Sequence, residues 1–310
     1  MESKKIAHLL YVPFTGLGLY GGHRGSRWLK NRIKIFEQFV VPSLYLQTNQ
    51  RFIIWISWRY EDRNDPQIVE LERYLKSFGF KVVFTYAGVC FWDDKYSDAE
   101  AYERLVSAVH DSMGELLNVM GEADEVLMTI QPSDDCYNSM MVEQVQGFFA
   151  SQKKIHVFGY KKGYVMDYVN RRLCEWNPKT TPPFYTIRFP RTTFADPLLH
   201  LKYTGPYKSH EYVKDYLPSL YVENRGFLVG THGSNISTVF DHPYTGHEFL
   251  GDNVDSILSG FGLLDAGTLK ISWSIRSMLF HKLPYKAKRK LRYWSEQSVV
   301  FSWVYNWIRS

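Results

Sequence analysis

The chain has 310 residues, 45% of them hydrophobic and 22% charged, with 22 Tyr, 20 Phe and 9 Trp. That composition excludes a disordered or collagen-like chain, and the absence of any run of about 18 uncharged apolar residues excludes a membrane-spanning helix. The formal net charge of +5 is uneven, because residues 281–310 hold seven Lys or Arg against Glu296, which leaves the first 280 slightly acidic.

Ile6 to Val12 reads as a short buried strand, followed by a glycine-rich loop from Gly16 to Gly25. Apolar residues from Trp28 to Val40 keep helical spacing over Arg27–Leu46, with Pro42 interrupting late. Phe52 to Ser57 is the second strand. Asp65-Pro66 supplies an N-cap and a proline at the first helical position, opening a helix to about Phe78. Lys81 to Thr85 is the third strand. Ser97 and Glu100 form a capping box at the head of the longest helical pattern, which runs to Met120. Val126 to Ile130 is the fourth strand, and a further helix follows from about Ser139 to Ser151.

Strands alternating with helices predict right-handed crossovers and an α/β fold with a mostly parallel sheet. Ligands in such sheets gather at the carboxyl ends of the strands, so the informative loops are 13–26, 57–65, 86–96 and 131–138. After residue 153 the rhythm turns more antiparallel. Ile155–Tyr160, Lys161-Lys162-Gly163 and Tyr164–Val169 predict a hairpin, and Phe184–Phe189 another strand. The expected organisation is one domain in two halves, 1–152 and 153–280, with a basic aromatic helical tail at 281–310.

Cys90, Cys136 and Cys174 form no C-x-x-C and are odd in number. They support neither a zinc ribbon nor a disulfide framework and fit a reducing compartment. Met1 to Lys5 run straight into the first strand without a cleavage signature, so a cytoplasmic location is expected, with the sequon at Asn235 unglycosylated.

Gly16-Leu17-Gly18-Leu19-Tyr20-Gly21 satisfies a dinucleotide-binding fingerprint after a strand. Four residues still intervene before any helical pattern, and the nearest suitable acid after the second strand, Asp62, lies 41 residues beyond Gly21. A loop presenting Arg24 and Arg27 to phosphates suits the segment better, with a plain surface loop as the alternative. A nucleotide-dependent oxidoreductase remains the rival enzyme class.

Asp134-Asp135 follows a buried strand, where a ligand is expected. Adjacent carboxylates repel unless a cation neutralises them. Mg²⁺ or Mn²⁺ takes one or two carboxylates and fills its other positions with phosphate oxygens and water. Such a metal suits the departure of a nucleoside diphosphate. The alternative is an Asp N-cap on the next helix.

The first 150 residues resemble nucleotide-diphospho-sugar glycosyltransferases of the GT-A type, and in particular the bacterial and viral rhamnosyltransferase group. The resemblance rests on Arg32–Phe39 with Pro42-Ser43-Leu44 and Gln47-Thr48, on Phe52–Trp55 and on Ser133-Asp134-Asp135, with Gly230–Thr238 as a late motif. One position departs: the group's acidic motif reads Asp-x-Asp-Asp, and Pro132 stands at its first Asp.

The resemblance implies a GT-A-like (Rossmann-like) sheet and a hexosyl transfer, with rhamnose the sugar the group's name implies, from a nucleoside-diphosphate sugar to a glycan or lipid-linked acceptor by single displacement. It implies metal ligation by Asp134, Asp135 and His232, with Asn235 in reserve. Donor contacts fall to Thr15, Arg24, Arg27, Arg59, Asp62 and Asp134, with Glu61, Asp93 and Asp94 nearby. Glu211, at a helix start, is the candidate general base, with Asp196, Asp241 and Glu248 as rivals. In the tail a cationic stretch precedes Tyr293, Trp294, Phe301, Trp303 and Trp307, a pattern suited to peripheral contact with an anionic membrane, with docking on the protein's own core as the alternative. No nucleic-acid partner is expected, since the main body carries no positive excess. A degenerate transferase kept as a membrane or partner adaptor is the non-enzymatic alternative.

Overall fold

The computed structural model describes residues 5–15, 26–87, 97–203, 210–232, 235, 238–271, 283, 285–298, 300–301 and 304–305. Its strands are β1 (Ile6–Pro13), β2 (Ile53–Trp58), β3 (Val82–Tyr86), β4 (Glu125–Ile130), β5 (Cys136–Tyr137), β6 (Val157–Asp167), β7 (Arg172–Trp176), β8 (Tyr185–Pro190), β9 (Ser219–Thr231) and β10 (Thr245–Phe249). All ten join one sheet in the order β10-β7-β6-β8-β4-β1-β2-β3, with β9 pairing β5 and β6. The first four strands pair in parallel. Beyond β4 the sheet turns antiparallel through β8, β6, β7 and β10, apart from the parallel pairing of β6 with β9. The α/β class, parallel in its first half and more antiparallel in its second, is what the alternation of elements predicted.

Alternate residues of the central strands feed two cores. Leu10, Val12, Ile54 and Ile56 pack with α1 (Ser26–Ile35), α3 (Pro66–Ser77) and α5 (Met141–Ser151). Leu9, Tyr11, Ile53 and Trp55 face the other way, toward α4 (Asp98–Met120) and Leu201, Val213 and Leu217. The period of two in a strand sends successive side chains to opposite faces, so these strands read as unbroken apolar runs.

The helix over Arg27–Leu46 is not simply broken by Pro42. A π-helical turn, Phe36–Val40, continues α1 into α2 (Val41–Tyr45), and the Val41 N–H donates to the Phe36 carbonyl five residues back. Proline lacks an N–H and crowds the carbonyl four residues before it, and a wide turn accommodates that strain. Asp65 caps α3 by accepting from the Gln67 N–H at 2.9 Å, and Ser97 with Glu100 closes the capping box of α4.

The predicted hairpin at 155–169 is corrected. Lys161-Lys162-Gly163 lies inside β6, which runs unbroken for 11 residues. The register against β9 shifts at these positions, as in a bulge. A Cβ on Gly163 would collide with the Phe227 ring of β9, so this glycine serves close strand approach and not a turn. The real hairpin joins β6 to β7 through residues 168–171. The helix start expected at Glu211 is a 3₁₀ turn, His210–Tyr212, followed by a single α-helical turn, Val213–Tyr216.

In the tail, Tyr285–Gln297 is helical (α10), with Tyr293 and Trp294 exposed and Lys290 Nζ 4.9 Å from the Trp294 ring centroid. Among the described residues no helix is long and apolar enough to cross a membrane.

Candidate functional site

The chain leaves β1 for β2 and β3 on one side, then returns to place β4 on the other. The gap between the carboxyl ends of β1 and β4 is therefore the topological switch point, where open α/β sheets receive ligands. Thr15 follows β1, Arg59 and Asp62 follow β2, and Asp134 with Asp135 follows β4.

Immediately after the acidic pair, β5 adds to the end of β9 with Cys136 opposite Leu228. Carried back two residues, that antiparallel register sets Asp134 opposite Gly230. The Gly230 N–H donates to Asp135 Oδ1 at 2.9 Å, and the Tyr168 hydroxyl donates to the Asp134 carbonyl at 2.9 Å. Tyr168 is itself held by stacking on Phe39, with ring centroids 3.7 Å apart.

Asp134 Oδ2 accepts from Arg32 Nη1 at 2.5 Å and from Asn235 Nδ2 at 3.3 Å. His232 Nε2 lies 3.1 Å from both Arg32 Nη1 and Asp134 Oδ2. With a proton on Nε2 it donates to the carboxylate; without one it accepts from the guanidinium. Asn235 also donates to the Gly230 carbonyl and accepts from the His232 N–H, fixing the loop after β9 over the pair. Arg32, Asp134, Asp135 and His232 are all buried.

Burial pushes the Asp134 carboxyl up, but the Arg32 charge and the His232 hydrogen bond outweigh it and hold the group at about 2. Burial, then the neighbouring Asp134 charge, raises Asp135 well above the usual carboxylate range, against the Gly230 N–H. The two carboxyls are thus pushed in opposite directions, Asp134 down and Asp135 up. Burial pushes the Cys136 thiol beside them to about 12, which makes it a poor nucleophile.

A second cluster sits across β1. Thr15 Oγ1 donates to Asp62 Oδ2 at 2.6 Å and accepts from the Arg59 N–H at 3.1 Å. The Arg59 guanidinium closes on both Asp62 oxygens, at 2.8 and 3.3 Å. The aromatic floor near this cluster is Phe14 against Trp58, with centroids 4.4 Å apart. Three polar atoms at these strand ends, Trp58 Nε1, Gln131 Oε1 and Ser133 Oγ, are buried without a partner among the described residues. Such groups are rare in folded proteins and mark places where a ligand can supply the missing bond.

The other expected site residues fall elsewhere. Arg27 is exposed on α1; Arg24, the Gly16–Gly21 fingerprint, Cys90, Asp93 and Asp94 lie outside the described residues. Glu211 sits half-buried before β9 while His232 follows it, at either end of a thirteen-residue strand. Asp196 accepts from the Leu198 and Leu199 N–H groups and so caps α7 (Pro197–Tyr203). Glu248 is held by both ends of the Arg172 guanidinium at 2.8 Å, and Asp241 is exposed. None of these four has a hydrogen bond or ion pair with the Asp134 cluster among the described contacts.

Arg32 is the site residue that sequence reasoning missed. The signal was present, since Arg32 stands one helical turn from both Trp28 and Phe36, on the apolar stripe of its helix. A lone charge on a stripe that must be buried requires a buried partner.

As arranged, the acidic pair does not fit a resident divalent ion. Asp134 Oδ2 is taken by nitrogen donors, Asp135 Oδ1 by the Gly230 N–H, and His232 Nε2 by the Arg32–Asp134 pair. Among the described residues no three His, Cys, Asp or Glu side chains gather as a metal-binding group.

No family model matches the chain, and no curated protein matches it. Among solved structures, the apo crystal structure of mouse xyloside xylosyltransferase 1 overlaps it with a TM-score of 0.28 and 12% identity. The overlap covers 51% of this chain and 52% of that one, so the chain spans about half the length of this relative. At that level the likeness carries no inference about fold or chemistry.

Proposed function

We propose that the chain is a glycosyltransferase of GT-A-like architecture that binds a nucleoside-diphosphate sugar at the β1–β4 switch point. The observation that carries this reading is the placement of the Arg32–Asp134–His232 cluster and the Thr15–Arg59–Asp62 cluster at the ends of β4, β1 and β2. These loops span two strand spacings, about 10 Å, so one extended anionic ligand can touch both. The nucleoside lies toward Arg59 and Asp62, and the diphosphate toward Arg32. Trp58 Nε1, Ser133 Oγ and Gln131 Oε1 offer unused donors and acceptors along the way.

In the reaction the acceptor hydroxyl attacks the anomeric carbon, the bond to the diphosphate oxygen breaks, and the hydroxyl proton passes to a base. Positive charge held where the leaving diphosphate gathers negative charge accelerates that step, and a buried guanidinium supplies it more strongly than one in water. The sugar and the acceptor are outside what these residues select; rhamnose is what the sequence resemblance implies. The exposed Tyr293 and Trp294 on the basic helix α10 support a peripheral stance on an anionic membrane, which brings a lipid-linked acceptor to the site.

A thermal-shift screen of UDP, GDP, dTDP, CDP and NAD(P)⁺ tests the reading, because selective binding raises apparent stability by mass action. Stabilisation by one diphosphate, lost in Asp62→Ala, supports it. A response to NAD(P)⁺ alone replaces it with the oxidoreductase. Co-flotation with vesicles containing phosphatidylglycerol, lost on deleting residues 283–310, tests the membrane stance.

A further inference from the structure

The carboxylate that ordinarily invites a metal here already has a cation. Arg32 Nη1 stands 2.5 Å from Asp134 Oδ2, about the distance at which a hard divalent ion would itself sit from that oxygen. A metal on Asp134 Oδ2 would therefore lie against the guanidinium, two cations side by side in a buried site. Arg32 is not a loose occupant: it stands among the buried Leu29 and Ile33 of α1 and Phe36 of the π turn, with its guanidinium carbon 6.0 Å from the Trp28 ring centroid. Asn235 adds a second nitrogen donor to the same oxygen. Among the described residues Asp134 Oδ1 and Asp135 Oδ2 accept no hydrogen bond, and no three His, Cys, Asp or Glu side chains gather there as a metal-binding group.

We infer that Arg32 is the resident cation of this site, so that a nucleoside diphosphate binds through its guanidinium without a divalent metal. The inference rests on the transferase reading above. It also gives Asp134 a different part from the one its sequence suggests: the carboxylate positions Arg32 and stands in for the phosphate until the donor arrives. Guanidinium suits this, since its planar fork recognises phosphate and carboxylate by the same paired hydrogen bonds.

The test uses the full chain. Paramagnetic resonance of Mn²⁺ alone should show the free-ion signal undiminished by wild-type protein. Calorimetry with the diphosphate selected by thermal shift should give the same affinity in EDTA as in Mn²⁺. Arg32→Lys should keep part of that affinity, and Arg32→Met should lose about tenfold or more. Circular dichroism checks that Arg32→Met is folded; the EDTA comparison needs no variant if it is not. Uptake of Mn²⁺ by the wild type that disappears in Asp134→Asn overturns the inference while leaving the transferase reading intact. So does a tenfold or larger gain of diphosphate affinity on adding Mn²⁺. Failure of every diphosphate to bind in either buffer removes the transferase reading itself, and the role of Arg32 with it.

Discussion

The Gly230 N–H donates to Asp135 Oδ1 at 2.9 Å, tying the end of β9 to the acidic loop after β4. This contact requires glycine, because a Cβ at Gly230 would overlap both the Tyr168 ring and the Asp134 carbonyl. Gly230→Ala should destabilise the fold by about 1–3 kcal/mol through overpacking. It should also weaken diphosphate binding, since the loop carrying His232 and Asn235 is displaced. Urea denaturation alongside the thermal-shift screen checks both; full stability with unchanged binding would mean the loop relaxes without moving the pair.

Arg32 and Asp134 lie 102 residues apart in sequence and make a buried ion pair. Removing one partner leaves a bare charge in the interior, so Arg32→Met should cost about 3–5 kcal/mol. Arg32→Met combined with Asp134→Leu should recover much of that loss, because no isolated charge remains. A double-mutant cycle by chemical denaturation measures the coupling. Additive losses would show that the two residues are stabilised separately.

His8 predicts a loss of stability in mild acid. Its Nε2 lies 2.7 Å from Thr129 Oγ1, and Gln146 Nε2 donates to its Nδ1 at 3.3 Å, a set that suits the neutral ring. Burial lowers its pKa from 6.5 to about 3, and burial likewise lowers that of His200 to about 4. Depressed folded-state values mean that this stability is present above pH 6.5 and is lost as the pH falls toward the folded values, because the unfolded chain takes up protons first. Each ring should contribute a loss of about 2 kcal/mol between pH 7 and pH 5. Urea titrations at the two pH values should show it, with His8→Gln removing one ring's share. An unaltered slope in His8→Gln would place the acid sensitivity elsewhere.

Asp62 joins Thr15 to Arg59 across the ends of β1 and β2. Asp62→Ala leaves the Thr15 hydroxyl and the guanidinium without their acceptor and should cost about 1–3 kcal/mol. On the proposed reading it also abolishes selectivity among nucleoside diphosphates. Asp65→Ala is the control: it removes the α3 cap for about 1 kcal/mol and should leave ligand binding untouched. Equal effects of the two variants on binding would separate Asp62 from the donor site.

The sequence by itself determined the elements whose cause is local. Asp65-Pro66 and the Ser97–Glu100 box start α3 and α4 where the side chains alone require it. The apolar runs of β1, β2 and β4 announce strands buried on both faces, and their alternation with helices fixes a parallel first half. It follows that Thr15, Asp62 and the acidic pair end up at strand ends, since that depends only on chain order.

Tertiary structure decided everything that depends on a partner far along the chain. Lys161-Lys162-Gly163 carries the composition of a turn, but the Phe227 ring packing against Gly163 makes it a bulge within a long strand. The Asp134-Asp135 pair carries the composition of a metal site, and its sequence neighbours are silent about Arg32. Only the packing of α1 beneath the loop after β4 brings that guanidinium to Asp134, and only the end of β9 delivers His232 and the Gly230 N–H. A charge's partner is set by distance in space, which the sequence fixes only through the whole fold.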